Sequence, residues 1–444
     1  MFMSNGQPKD NRYGCVIFDD PNEHQSGFAA KAGEKARRIR GTRDLDSDYI
    51  WLTNLSYDQI IKSGFSQHAR FRHEGFLRVP IDRLLKLHNV TDDAESSEMI
   101  ATVADRVSRI AYDFCEIGFA PGREMKQMIR QSFKHGTDPV IPDWTCDALQ
   151  DATSYYTFCE KPVNQFLVDQ DPSNVVEFQV HPLFIAKNVL SLDLPYGVHW
   201  EKVHSSRLGP AQRKSFDSLH EAIGGPFLAK TKISNIDENF NSILNFGSMP
   251  AYQGRRQWLS STEVEALDGL AELDIKEVII PKDHSQYLLP YLEKLLELPE
   301  ICQTSLSYRL FMDNLWCAAG TNFRPAIYRA IPYNLINPAT PFIRALEREI
   351  CMNLSILLTH HGFEIMGYGS GFIKARLNGQ SPEQILEAAK QTDTLPPMCP
   401  DANVAGDIDS TMKALQFQYI NAQTTKIMNY DKLIVGKIYE SKAP

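Results

Sequence analysis

The apolar residues of segment 98–117 recur three and four positions apart. Ile100, Val103 and Val107 would lie on one face of a helix, so this spacing predicts an amphipathic helix with one buried stripe. Segment 341–358 has the same periodicity, follows a capping Thr340, and is the most strongly predicted helix of the chain. Shorter patterns of this kind predict helices at 122–134, 144–160, 208–225, 261–273, 284–297 and 408–425.

Strand-like segments are fewer than helical ones. Residues 174–180, 188–194 and 276–281 are rich in β-branched and aliphatic side chains, and prolines lie close to them. Strands and helices do not alternate regularly, which argues against a doubly wound parallel sheet. We therefore predict a mainly α fold with a small β-sheet (α+β), in which a helix-rich globular body carries an extended N-terminal arm.

Composition divides the chain into four predicted regions. Residues 1–47 are rich in Gly, Asn, Asp, Lys and Arg, and are predicted to form a polar, basic N-terminal arm. Residues 48–225 form a helical region with a short β segment. Residues 226–260 show no clear periodicity and are interpreted as a loop or linker. Residues 261–444 form a second, mainly helical region.

The chain has 444 residues, of which 43% are hydrophobic and 23% are charged. That is enough to build a large core without disulfides or metal, and it excludes disordered and fibrous proteins. The eight cysteines form no close pairs, so zinc-ribbon and thioredoxin-like motifs are excluded. The first residues lack an apolar signal core, and no run of about 18 apolar residues occurs. We expect a cytoplasmic protein, either alone or within a viral or other large assembly.

Charge is unevenly distributed along the chain. The whole sequence carries 46 Lys+Arg against 55 Asp+Glu, for a net charge of −9. Residues 31–43 depart from this balance, because they hold six basic residues against one acidic residue, Glu34. Such a segment could neutralise phosphates or an acidic neighbour, or it could be a solvated loop or helix on the acidic body. The basic residues of the segment are Lys31, Lys35, Arg37, Arg38, Arg40 and Arg43.

A second mixture of cations and aromatic residues occupies residues 70–78, with the sequence RFRHEGFLR. Arg70, Arg72 and Arg78 could contact phosphates while the phenylalanines stack on bases. The same composition is also typical of arginine side chains that cover an aromatic surface. Both interpretations stay open, and the three arginines are candidate nucleic-acid or partner-binding residues.

The tripeptide His199-Trp200-Glu201 is a candidate metal-binding motif. In an extended segment, side chains two positions apart point the same way, so His199 and Glu201 could share a divalent ion. His284 or His220 would complete a 2-His-1-carboxylate triad of the non-haem iron oxygenase type. The alternative is a partly buried, hydrogen-bonded pair with no metal.

Strong catalytic motifs are absent from the sequence. It contains no P-loop, no G-x-S-x-G elbow, no H-E-x-x-H motif and no EF-hand loop. The glycine-rich residues 367–371 follow a predicted helix, whereas a dinucleotide-binding loop would follow a strand. We therefore predict no catalytic residue and no cofactor, and the sequence favours a protein that is not an enzyme.

These observations favour a non-enzymatic structural or assembly protein that self-associates or belongs to a multi-subunit complex. In layout alone, the chain resembles helix-rich coat or shell subunits and subunits of nucleoprotein complexes. The expected partners are other protein subunits, in a homo-oligomer or larger complex, and nucleic acid bound through the N-terminal arm; no membrane contact is expected. Two alternatives remain open: a metal-dependent enzyme that uses the H-x-E pair, and a nucleic-acid-binding subunit.

Overall fold

A computed structural model describes residues 12–23, 25–62, 70–72, 81, 85, 90–115, 125–130, 132–133, 141–154, 175–180, 182–236, 256–297, 306–320, 337–360, 364–369, 372–376, 415–420 and 425–429. The chain divides into two compact units, which are described separately below. Among the described residues, those within 12–133 and 297–318 belong to the first unit, and those within 134–296 and 319–429 belong to the second.

The described residues form both helices and strands. The helices are α1 (Tyr57–Lys62), α2 (Asp93–Cys115), α3 (Met125–Arg130), α4 (Asp143–Ser154), α5 (Pro182–Leu190), α6 (Phe216–Ile223), α7 (Ser261–Leu267), α8 (Leu289–Leu296), α9 (Leu306–Ala319) and α10 (Thr340–His360). The strands are β1 (Arg12–Phe18), β2 (Gly27–Lys31), β3 (Arg37–Ile39), β4 (Tyr49–Thr53), β5 (Arg70–Arg72), β6 (Val175–Val180), β7 (Leu194–Pro195), β8 (Trp200–His204), β9 (Leu228–Ser234), β10 (Arg256–Ser260), β11 (Glu272–Pro281), β12 (His284–Ser285), β13 (Glu364–Gly369), β14 (Phe372–Arg376), β15 (Leu415–Ile420) and β16 (Thr425–Asn429).

The first unit is built on a five-stranded sheet with the order β3-β2-β1-β4-β5. Strands β1, β2 and β3 are successively antiparallel, whereas β1, β4 and β5 are parallel. Strand β1 is therefore the central strand, and β3 is a short strand at one edge. Helix α2 packs against β1 and β2.

The central position of β1 explains its unbroken apolar sequence. Every residue from Tyr13 to Phe18 is buried, because both faces of the strand are covered. Val16, Phe18 and Trp51 belong to a buried cluster that also contains residues from the loops around β4. Gly14 allows the close approach of Trp51, since a Cβ atom at position 14 would lie 2.5 Å from the indole ring.

In the described part of the second unit, the strands form three sheets with antiparallel neighbours. Their strand orders are β10-β9-β11-β8, β12-β7 and β13-β14-β6-β15-β16. Helix α10 lies at the centre of this unit and packs against α4, α5, α7, β10 and β13. It carries the buried polar residues Glu347, Arg348, Glu349 and Asn353 among its apolar ones.

The predicted fold class is confirmed, since the structure is a mixed α+β fold with a helix-rich body. The periodic helices are also present: α2 buries Ile100, Val103 and Val107, and α10 matches the predicted segment 341–358 closely. No helix in the described part of the chain is long and apolar enough to cross a membrane.

The predicted N-terminal arm differs from the structure. Residues 12–18, 27–31 and 37–39 form three strands of a sheet rather than an irregular segment. Most of the charged residues that suggested an arm lie in the turns and on the edge strand β3. Composition averaged over 47 residues conceals a buried strand that is only seven residues long.

Several other local predictions are wrong. The predicted linker 226–260 contributes β9 and β10, which pair with each other in the second unit. Segment 188–194, predicted as a strand, begins with the last three residues of α5 and reaches a strand only at Leu194, and segment 408–425, predicted as a helix, contains β15. Gly367, expected to follow a helix directly, lies within a strand, β13. Short apolar runs without a clear period do not distinguish strand from helix, which explains these errors.

Candidate nucleic-acid interface

The predicted basic segment folds into β3 and the turns on either side of it. Gly33, between β2 and β3, adopts a positive φ of 80°, which a non-glycine residue rarely adopts. After β3, the chain forms a 3₁₀ turn at Thr42–Asp44. Asp44 stabilises this turn, because its Oδ2 atom accepts a hydrogen bond of 2.8 Å from the backbone N–H of Arg40. The basic residues are thus held on an ordered edge of the sheet.

Three of the six basic residues form ion pairs within the protein. Lys35 pairs with Glu98 of α2 at 3.0 Å, and Lys31 pairs with Asp46 at 3.4 Å. Arg38 pairs with Asp19, at the end of β1, and its guanidinium lies 4.8 Å from the centre of the Phe28 ring. The positive charge of these residues is therefore partly neutralised inside the fold.

The other three basic residues have no carboxylate partner among the described residues. Arg37, Arg40 and Arg43 are all exposed. The guanidinium of Arg37 donates a hydrogen bond of 2.6 Å to the backbone carbonyl oxygen of Asp44, which is not a carboxylate. We call Arg37, Arg40 and Arg43 the basic edge. It presents three full positive charges to solvent within seven positions of the chain.

The alternation of side chains along a strand explains why neighbouring arginines differ. Successive residues of β3 point to opposite faces of the sheet. In the sheet register, Arg38 lies opposite Phe28 and Arg37 lies opposite Ala29. Arg38 consequently reaches Asp19, whereas Arg37 reaches the 3₁₀ turn on the other side.

A cation–aromatic cluster lies where β1 and β4 begin and β2 ends. The Lys31 ammonium is 4.5 Å from the centre of the Tyr49 ring, and the Arg12 guanidinium is 6.0 Å from it. We call Arg12, Lys31 and Tyr49 the Tyr49 cluster. The pKa of the neighbouring Asp46 is lowered, chiefly by a hydrogen bond from the backbone N–H of Asp48 and further by Lys31 and Arg12. Asp46 is therefore an anion within this cationic cluster.

The ends of the parallel strands β1 and β4 bring a group of polar residues together. The Asn54 side chain accepts a hydrogen bond of 3.1 Å from the N–H of Phe18 and donates one of 3.2 Å to its carbonyl oxygen. Next to it, Asp19 binds Arg38 and the hydroxyl of Ser26. Burial raises the pKa of Asp93, at the start of α2, and the charges of Asp19 and Asp92 add to this rise. In this group, the carboxylate of Asp19 has the guanidinium of Arg38 as its cationic partner.

Two of the remaining candidate arginines lie at the opposite edge of the same sheet. Arg70 and Arg72 belong to β5, and their backbones pair with those of Ile50 and Leu52. Arg78 lies outside the described residues. The structure thus puts Arg70 and Arg72 in the same sheet as β3, with the three strands β2, β1 and β4 between them.

The structure does not bring the predicted metal ligands together. His199 contacts Asp283 through its Nδ1 atom at 2.8 Å, and His284 contacts Asp193 at 2.7 Å. Glu201 instead pairs with Lys282 at 2.6 Å, and the hydrogen bond from that lysine lowers the pKa of Glu201. Within the described ranges, no group of three His, Cys, Asp or Glu side chains could hold a metal ion.

The sequence pattern predicted the three arginines of the basic edge as candidates, but it gave no reason to select Arg12 or Tyr49. These two residues are 37 positions apart, and only the parallel pairing of β1 with β4 places them opposite each other. The available sequence signal was weak: an arginine precedes one apolar run, and a tyrosine begins another.

Comparison with known proteins gives limited resemblance. No family model and no curated protein matches the chain. Among solved structures, Phi29 DNA polymerase complexed with primer-template DNA (post-translocation binary complex) has a TM-score of 0.49 and 10% identity, over 85% of this chain and 82% of the polymerase. The same polymerase complexed with single-stranded DNA has a TM-score of 0.48 and 9% identity, over 85% and 82% of the two chains. At these values the likeness is weak.

The predicted coat- or shell-like assembly function is wrong. The two solved structures named above are of a DNA polymerase, and neither is of a coat or shell subunit. The structure also removes a physical basis for that prediction: the segment expected to reach a neighbouring subunit forms β1, β2 and β3 of the sheet.

Proposed function

We propose that the chain binds nucleic acid through the basic edge. The observation that carries this proposal is the exposure of three guanidinium groups, those of Arg37, Arg40 and Arg43, without a carboxylate partner among the described residues. Guanidinium groups match the geometry of phosphate oxygens and can donate two hydrogen bonds to them. Binding would release counterions from the phosphate backbone, so the affinity would depend strongly on salt.

The fixed geometry of the edge supports the same proposal. Asp44 accepts a hydrogen bond from the side chain of Arg37 and another from the backbone of Arg40, and so restrains the turn between them. A restrained site loses less conformational entropy on binding than a flexible arm does. Arginines on a short edge strand can also have a different role, which is to prevent edge-to-edge association of sheets. A direct measurement of nucleic-acid binding distinguishes the two roles.

Substitutions test the proposal better than a deletion. Removing residues 31–43 would delete β3 and leave β2 as the edge strand, so lost binding could reflect an altered fold. Replacing Arg37, Arg40 and Arg43 together with Gln retains the chain length and removes only the charges. The matched control replaces Lys35 and Arg38 with Gln, because both cations are already paired with carboxylates.

The measurement is the dissociation constant of the full chain for fluorescent DNA over a range of salt concentrations. The probes are single-stranded DNA and primer-template DNA, the ligands in the Phi29 polymerase structures. Each lost phosphate contact lowers the salt slope by about 0.7 on single strands and about 0.9 on duplexes. We expect the triple variant to lose about 2 from the slope and the control to lose less than about half of that. An unchanged slope in the triple variant would contradict the proposal.

A further inference from the structure

The Tyr49 cluster is continuous with the basic edge. Segment 44–46 connects them, because the carbonyl oxygen of Asp44 binds Arg37 and the carboxylate of Asp46 binds Lys31. In the sheet register, Arg12 lies opposite Tyr49, and Lys31 lies opposite Gly14, two residues further along β1. A strand of nucleic acid held by the basic edge could therefore extend over the Tyr49 ring.

The aromatic ring in this cluster is held in a fixed position. Tyr49 is half-buried and packs beside Trp51, whose ring centre is 5.9 Å away. The indole N–H of Trp51 donates a hydrogen bond of 2.8 Å to the carbonyl oxygen of Asp46. Tyr49 thus presents a rigid surface, and its ring need not lose much freedom when a ligand binds.

The spacing of Arg12 and Tyr49 suits a flat ligand. The guanidinium of Arg12 is exposed and lies 6.0 Å from the ring centre, at the outer limit of a cation–π contact. A planar base between the two groups needs two stacking distances of about 3.5 Å each, or about 7 Å in total. An outward movement of about 1 Å by an exposed arginine side chain would therefore make room for a base.

We infer that the ligand of this surface is single-stranded nucleic acid, with one base stacked on Tyr49 beside Arg12. This inference rests on the proposed function and adds to it the class of nucleic acid. A base in a duplex is already stacked on its neighbours and paired, so it cannot lie against a side chain. A base of a single strand is free to do so, and aromatic stacking of this kind tolerates any sequence.

The first test uses the unaltered full chain, so it does not depend on the folding of a variant. Two fluorescent oligonucleotides of about 15 nucleotides are compared, one of thymidine and one with the same backbone but no bases. We expect the thymidine strand to bind about tenfold more tightly, since stacking contributes that much per base. Equal affinities for the two strands would overturn the inference.

The second test compares two substitutions at the same position. Tyr49→Phe keeps the aromatic face and is expected to bind the thymidine strand within about twofold of the unaltered protein. Tyr49→Leu keeps much of the apolar volume without the π-face, and is expected to weaken that binding about tenfold while leaving duplex affinity within about twofold. Equal weakening for single strand and duplex would overturn the inference.

The two proposals fail in different ways. If the basic edge is the binding site but Tyr49 is not a stacking surface, the triple arginine variant will lose salt dependence while Tyr49→Leu binds normally. If the basic edge is not the site, the triple variant will keep its full salt slope, whatever the result at Tyr49.

Discussion

Arg348 and Glu263 form an ion pair inside the second unit. The Nη2 atom of Arg348, on α10, donates to the Oε2 atom of Glu263, on α7, at 2.5 Å. The two side chains are only 6% and 7% exposed. Helix α7 and helix α10 are therefore joined through two charges that have little access to water.

We expect Arg348→Met to lower the free energy of unfolding by about 3–5 kcal/mol, because it leaves the Glu263 carboxylate buried without its cation. Chemical denaturation measures the change. The matched control is Arg256→Gln, which breaks a 2.7 Å pair with Asp274 in which both side chains are substantially exposed. That control should cost less than about 1 kcal/mol. Equal losses in the two variants would contradict the expected role of burial.

Glu349, the next residue on α10, should make stability depend on pH. Burial raises the pKa of this carboxyl group well above its usual range, and the charges of Glu265 and Glu263 add to the rise. The folded state therefore keeps a proton that the unfolded state releases, so stability falls as the pH rises from the ordinary glutamate pKa through the folded value.

We expect Glu349→Gln to be more stable than the unaltered protein at about pH 8 and to lose less stability between about pH 5 and pH 8. Denaturation curves at the two pH values provide the measurement. Some pH dependence should remain, because burial also raises the pKa of Glu265. The control is Glu272→Gln, at an exposed position at the start of β11. A variant with the same pH profile as the unaltered protein would contradict this expectation.

Gly27 is expected to tolerate no side chain. A Cβ atom there would lie 2.2 Å from the backbone oxygen of Ile17, on the neighbouring strand β1. The backbone atoms would have to move, so Gly27→Ala should destabilise the protein by about 1–3 kcal/mol, measured as a lowered thermal midpoint. Gly41→Ala is the control, because a Cβ atom at position 41 would have no neighbour within 4 Å. A Gly27 variant as stable as the control would disprove this close approach.

Asp46 is expected to restrain nucleic-acid binding. Its carboxylate lies 3.4 Å from the ammonium of Lys31 and cancels part of the positive charge of the Tyr49 cluster. Asp46→Asn keeps an oxygen that can accept the hydrogen bond from Asp48, so the loop should keep its shape. We expect tighter binding of single-stranded DNA and a salt slope that rises by up to about 0.7. Unchanged affinity would show that the ligand does not contact Lys31.

The sequence predicted those parts of the fold whose signal is periodic. Helices α2 and α10 repeat their apolar residues over five or more turns, so their spacing alone identifies them. Strand β1 has no period because it is buried on both faces, and β3 is only three residues long with two arginines. Such strands can be identified only from the strands that pair with them, and those strands lie far away in the sequence.

The sequence likewise predicted only part of the candidate site. The sequence identified Arg37 and Arg38 equally, because it contains no information about which of them would face Asp19. His199 and Glu201 are both in or next to an extended strand, as the two-residue spacing required, yet each lies closer to another partner. The distant residues Asp283 and Lys282 decide that outcome, and spacing within a tripeptide cannot reveal them.

The central position of β1 has a practical consequence for truncated forms of the protein. If the first 20 residues formed an irregular segment outside the sheet, removing them would leave the sheet intact. Because β1 pairs with β2 on one side and β4 on the other, the same trimming would split the sheet through its middle and separate the basic edge from Tyr49. Shortened versions intended for crystallisation or binding assays should therefore begin upstream of Arg12.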